Sequence, residues 1–196
     1  MKGYGFFELI ILMISLVFTK LFIPKARLVR LPIKVRNKKL IDFGRGLTTG
    51  VGCRLDAFSF DNEQTKKIKF GSCVQINDYV HIAAVESVFI GDNVLIASKV
   101  FISDHNHGSY SGEMHSDPNQ PPALRPIISK PVMIDDNVWL GELVCIMPGV
   151  TVGKGSIVGA HSVVTHDIPS YSIAVGSPAK VIKQYNFSTK IWEAIN

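Results

Sequence analysis

The sequence predicts a mainly β protein: a solenoid of short parallel strands with an N-terminal helix, one projecting loop and a short C-terminal helix. Two observations predict it. A large aliphatic or aromatic residue recurs every six positions from Phe70 to Val164, and the recurrence breaks off once, between Ser103 and Pro131. A period of six matches neither the roughly 3.6-residue turn of an amphipathic helix nor the strict alternation of a long strand, so each hexad must be one short strand plus one corner. With 196 residues, 46% hydrophobic and 19% charged, the chain is long enough for one well-buried core.

The chain opens on a basic, apolar head. Residues 1–39 hold nine Lys and Arg against Glu8 alone, whereas residues 40–196 hold twelve Lys and Arg against fifteen Asp and Glu. The body therefore shows no basic stripe of the kind a nucleic-acid duplex needs. The apolar stretch Leu9 to Thr19, "LIILMISLVFT", is shorter than the roughly 20 residues that span a bilayer. It is predicted as a helix that either caps the end of the core or lies in the membrane interface, with Lys20, Lys25, Arg27 and Arg30 at the headgroups. In the second case the positive flank keeps the body cytoplasmic, as a peripheral protein at the inner face of the inner membrane. Cys53, Cys73 and Cys145 show no CxxC spacing, which favours a reduced compartment over a disulfide framework.

From Phe70 the hexads read "FGSCVQ", "INDYVH", "IAAVESVF" with two extra residues, "IGDNVL" and "IASKVF", then Ile102; they resume at Ile134 as "IDDNVW", "LGELVC", "IMPGVT", "VGKGSI" and "VGAHSV". Three hexads close a triangular coil. Coils stacked at strand spacing, about 4.8 Å, place Ile90, Ile96 and Ile102 inside, against Ile134, Leu140 and Ile146. Gly, Asp or Asn after the large residue suits a corner with unusual backbone angles. A weaker spacing through Ile41, Leu47 and Cys53 suggests a degenerate first coil followed by a polar loop at 60–67. The expected units are a head over 1–39, a solenoid over 40–185 with the loop 104–131 inserted, and a helix over 186–196 capping the far end.

The hexads, together with the terminal signature "GSPAKVI" at 176–182, resemble the hexapeptide-repeat acyltransferases, whose fold is a left-handed parallel β-helix. The resemblance covers roughly residues 70–185, and handedness is implied by it alone. Within the family, "QINDYVHIAA", "IASKVFISDHNHGSY" and "QYNFSTKIW" look most like the O-acetyltransferases of bacterial lipopolysaccharide O-antigen and capsule synthesis. The resemblance implies an acetyl-CoA donor, a glycan acceptor that is lipid-linked or carried on a nucleotide, and a homotrimer with interfacial sites.

The loop holds the chemistry. Acyl transfer from a thioester to a sugar hydroxyl requires the hydroxyl proton to leave as oxygen attacks, and neutral imidazole accepts it near pH 7. The family's catalytic histidine lies seventeen residues beyond the isoleucine of its "IGDN" hexad, which from Ile90 is His107. His105 is then an orienting or substrate-contacting neighbour, and Asp104 either fixes an imidazole or makes a turn. Asn77 stands where galactoside and maltose acetyltransferases carry an active-site asparagine; an acidic substrate-binding position of those relatives falls near Val85, so their sugar specificity does not transfer. Matched positions put Glu142, Ala160, Thr165 and His166 along pantetheine and Lys180 and Lys183 at the nucleotide phosphates. Trp139 borders the acceptor or covers a coil face. No metal is expected, although His81, His105 and His107 invite comparison with relatives that hold zinc through three histidines and hydrate carbon dioxide. An acceptor that is small and soluble, such as a free sugar, an amino sugar, serine or an antibiotic, is the runner-up, and a noncatalytic scaffold built on the repeat is a third class.

Overall fold

A computed structural model describes residues 5–60 and 65–195. Half of the polar stretch expected at 60–67, residues 61–64, lies outside the described residues. Short strands follow one another around a triangular coil and stack into three parallel sheets. One sheet runs through Ile41–Asp42, Ile68–Phe70, Val88–Ile90, Val132–Ile134 and Thr151–Val152. A second runs through Lys34–Arg36, Arg54–Ala57, His81–Ala84, Phe101–Ser103, Cys145–Ile146 and Val163–Val164. The third begins at Thr48–Thr49 and continues through Gln75–Ile76, Leu95–Ile96, Trp139–Leu140 and Ile157–Val158 to Ser172–Gly176. The stacking register is the one the hexads predict: Ile90 pairs with Ile134, Ile96 with Leu140 and Ile102 with Ile146. All six of these side chains are fully buried. At roughly 1.5–3 kcal/mol for each buried aliphatic side chain, this column of repeats is the main apolar contribution to stability.

The corners differ from the sequence expectation in one respect. The left-handed residue sits three positions after the inward one, at Asn93 (φ 56°) and Asn137 (φ 57°) among others. Gly91, directly after Ile90, is needed for space: a Cβ there would lie 2.8 Å from the backbone nitrogen of Asp136 in the next coil.

The solenoid starts earlier than residue 40. Lys34–Arg36 already pairs with Arg54–Asp56, and Leu28 bridges to Thr48. The lower end of the core is closed by Ile23, Ala26 and Val29, all buried. The helix Phe6–Phe22 therefore does not supply the cap; it rests on the outside, burying only Ser15 and Thr19.

The far end corrects the expectation of a C-terminal helix. Ser172–Gly176 turns back into the antiparallel strand Ala179–Asn186, which pairs in turn with Ile191–Ala194. Edge-to-face packing of Tyr185 on Trp192 (centroids 5.3 Å apart) and of Tyr171 on Phe187 (4.8 Å) holds this ribbon in place. The returning strand Ala179–Asn186 thereby covers the last parallel edge of the third sheet, and Ile191–Ala194 extends the sheet by one more strand.

Candidate active site

Alternation along the strands turns Arg54, Asp56, His81, Phe101 and Ser103 outward from the second sheet, while Leu55, Ile82 and Ile102 between them fill the core. This outer face, with Phe58, Met147, Pro148, His105 and His107, lines a cleft of about 300 Å³. Asp56 is fully buried at its floor. Arg54 Nε lies 2.5 Å and His81 Nε2 3.2 Å from Asp56 Oδ2, and Arg36 Nε lies 3.5 Å from Oδ1. The Arg36 guanidinium also sits over the Phe58 ring, 5.0 Å from its centroid. Burial holds the His81 imidazole below its ordinary pKa, and the Arg54 charge adds to this, while the contact with Asp56 opposes it.

After Ile102 the chain leaves the coil at Asp104, whose side chain is wholly buried. One of its oxygens accepts the N–H groups of Glu86 (2.7 Å) and Ser87 (2.8 Å), and Val85 N donates to the carboxylate at 2.9 Å. His105 Nδ1 lies 2.8 Å from Oδ1. The two extra residues of "IAAVESVF" thus form a corner wrapped around this carboxylate. Beyond it, His105–His107 pairs antiparallel with Ile127–Ser129, so the loop departs as a hydrogen-bonded arm. Arg125 braces the arm, donating through Nη1 to Tyr110 Oη (2.8 Å) and through Nε to the carbonyl of Gln120 (3.0 Å). Tyr110 donates in turn to the His107 carbonyl. Gly108, at φ 100°, lets the chain pass Tyr110, whose hydroxyl would lie 2.7 Å from a Cβ there.

The two histidines differ in setting. The His105 ring is tied to Asp104 and packs edge-on to Phe58, with its side chain 15% exposed. The His107 residue is exposed at the cleft rim, and no partner for its imidazole is found among the described residues. Its backbone is fixed by the pairing with Ile127.

Five of the remaining sequence-predicted positions fall on two edges of the second sheet. Thr165 and His166 follow Val164 at the same edge as the histidine arm; both are exposed, and Thr165 Oγ1 lies 2.9 Å from His166 Nδ1. Asn77, Glu142 and Ala160 stack along the opposite edge, where Asn77 lines a separate cleft of about 290 Å³ with Thr49, Gln75, Asp78 and Ser98. Glu142 faces Lys99 at 3.9 Å across the surface. Lys180 and Lys183 are exposed on the returning C-terminal strand. Trp139 lies on the outer face of the third sheet, paired with Leu95 and Ile157, outside the histidine cleft. Among the described residues no group of three or more His, Cys, Asp or Glu is arranged to hold a metal ion.

Residues 131–166 match the family described as bacterial transferase hexapeptide (six repeats). Over 193 residues, 98% of this chain, the sequence is 48% identical to WbbJ of Escherichia coli (strain K12), named for O-acetyl transfer in lipopolysaccharide biosynthesis, and it covers 96% of that protein. The chain belongs to the hexapeptide-repeat acetyltransferases. Among solved structures of this kind, a maltose O-acetyltransferase from Clostridium difficile 630 aligns at TM-score 0.59 and 31% identity, over 75% of this chain and 71% of that one. The Bacillus cereus N-acyltransferase AntD, solved as a variant with dTDP-4-amino-4,6-dideoxyglucose and coenzyme A, aligns at TM-score 0.69 over 84% of each chain. At 23% identity it shares the fold. The stacked parallel coils are accordingly a left-handed β-helix, and the protein is an acetyltransferase.

Proposed function

We propose that this acetyltransferase moves the acetyl group of acetyl-CoA to a sugar hydroxyl in lipopolysaccharide O-antigen or capsular polysaccharide synthesis, with His107 as general base. The observation that carries this reading is the braced arm, which fixes the His107 backbone at the cleft rim while leaving the imidazole free. A sugar hydroxyl entering the cleft gives its proton to the ring as its oxygen attacks the thioester carbonyl carbon. As the tetrahedral intermediate collapses, the carbon–sulfur bond breaks and the imidazolium returns the proton to the departing sulfur. His105, held by Asp104, contacts and orients the acceptor.

Thr165 and His166, exposed on the same edge, would border the pantetheine arm of the donor, and Lys180 and Lys183 are suited to its phosphates as point charges. Asn77, Glu142 and Ala160 stand on the other edge of the same sheet. A homotrimer that sets one subunit's histidine edge against its neighbour's Asn77 edge brings all of these residues to a shared groove and gives Asn77 and Trp139 access to the acceptor. The reaction then takes place at the cytoplasmic face of the inner membrane, where lipid-linked glycans are met.

A second reading of the base is favoured by one specific observation. A buried carboxylate orienting Nδ1 is the arrangement that makes a histidine an effective proton acceptor at Nε2, and Asp104 gives it to His105. The test of the function is turnover of acetyl-CoA against a panel of lipid-linked glycans, nucleotide sugars, free sugars and amines. Transfer to a glycan hydroxyl supports the reading; transfer to amines alone overturns it.

A further inference from the structure

The helix Phe6–Phe22 is inside out with respect to the fold it belongs to. Its two fully buried residues on the solenoid side are polar: Thr19 Oγ1 accepts the N–H of Val29 at 2.8 Å, and Ser15 Oγ accepts the N–H of Leu31 at 3.1 Å, with Phe18 packed beside them against the core. Phe6, Ile10, Met13, Ile14, Val17 and Leu21 fall on the opposite side by helical spacing and are exposed, from 39% at Ile10 to 74% at Phe6. A chain whose inward hexad positions are fully buried has here left a continuous apolar face in water, and such a face calls for an occupant.

We propose that this face docks in the plane of an anionic lipid bilayer, the helix lying flat at the headgroup and acyl boundary. Three observations select lipid over other occupants. With 17 residues the helix is about 26 Å long, and no helix among the described residues is long and apolar enough to cross a membrane. Lys20, Lys25 and Arg27 are exposed at its C-terminal end and just beyond, where they meet acidic headgroups, and Glu8 is the only acidic residue in the first 39. The two hydroxyl anchors fix the helix to the segment Val29–Leu31 at the start of the first coil, so lipid contact would set the orientation of the whole solenoid. The histidine cleft begins at Arg54, on the next coil, and a membrane-borne acceptor would reach it within a few coil spacings of about 4.8 Å each. Only that last point rests on the proposed function.

The test is flotation of the full chain with vesicles, read without donor or acceptor so that its outcome is independent of acetyl transfer. Partitioning onto phosphatidylglycerol/phosphatidylcholine vesicles should exceed that onto phosphatidylcholine alone by at least about tenfold and fall with added salt. The double variant Ile14→Ser, Val17→Ser, altering exposed positions only, should lower partitioning by about tenfold or more while leaving the solution mass unchanged. Absence of binding to either vesicle overturns the proposal. A change in solution mass on substitution also overturns it, by assigning the face to a second copy of the chain.

Discussion

Asp104 and His105 are joined by a 2.8 Å contact between Oδ1 and Nδ1, and the same buried carboxylate receives the N–H groups of Val85, Glu86 and Ser87. One side chain therefore ties the widened corner of one coil to the root of the histidine arm on the next. Removing it leaves three donors without their acceptor in a part-buried corner, each costing about 1–3 kcal/mol. Asp104→Ala should lower unfolding free energy by at least about 3 kcal/mol in urea titration. Asp104→Asn, which keeps one acceptor oxygen, should lose less stability and still lower turnover, because the amide cannot hold His105 as the carboxylate does.

His81 gives a pH dependence of known sign. Its folded pKa lies below the ordinary 6.5, chiefly through burial, with Asp56, Arg54 and His105 as the charged or titratable groups acting on it. Below pH 6.5 the unfolded chain binds a proton that the folded chain resists, so the contribution is complete above about pH 6.5 and is lost as pH falls toward the lower folded value. His81→Gln should flatten the decline in melting temperature between about pH 7.5 and pH 5.5. An unchanged decline would show that His81 has no part in the acid sensitivity.

The cysteines should react in an order set by burial. Cys53 is 1% exposed, and burial pushes its thiol up to about 11, whereas Cys73 is exposed and Cys145 half-buried. A maleimide at neutral pH should label Cys73 first and leave Cys53 unmodified until the coil opens. Mass spectrometry of timed samples reads the order directly.

The repeat is legible in the sequence because a stacked coil commits two positions in every six to the core, the large residue and the valine two before the next, so that burial is written as a period. The register of Ile90, Ile96 and Ile102 needs nothing more. The site is only partly legible. Arg36, Arg54, Asp56 and His81 meet because coil stacking brings distant segments side by side, and the irregular spacing before Phe70 hides their register; the pairing of Leu55 with Ile82 is the signal that places them. His105 and His107 are visible as the exit from the repeat, but which one carries Asp104 depends on the corner at 85–87 folding back. The tail misleads because "KIWEAI" fits helical spacing as readily as alternation, and pairing of Lys183–Asn186 with Ile191–Ala194 decides for the strand. The helix at Phe6–Phe22 is foreseeable from its composition, whereas its orientation is not: the sequence leaves a core cap and an interfacial helix both open, and two hydroxyls binding the backbone of Val29 and Leu31 set which face meets the solenoid.

The central claim is that an imidazole on the arm at 105–107 takes the acceptor's proton, and that it belongs to His107. Steady-state acetyl-CoA turnover of His107→Ala and His105→Ala with the same glycan acceptor tests it most directly. The expected result is a fall in kcat of about 10²–10⁴-fold for His107→Ala, with both proteins folded, and a smaller loss shared between kcat and KM for His105→Ala. Undiminished turnover in His107→Ala, with the large loss falling on His105→Ala, would contradict it and give the base to the histidine that Asp104 holds.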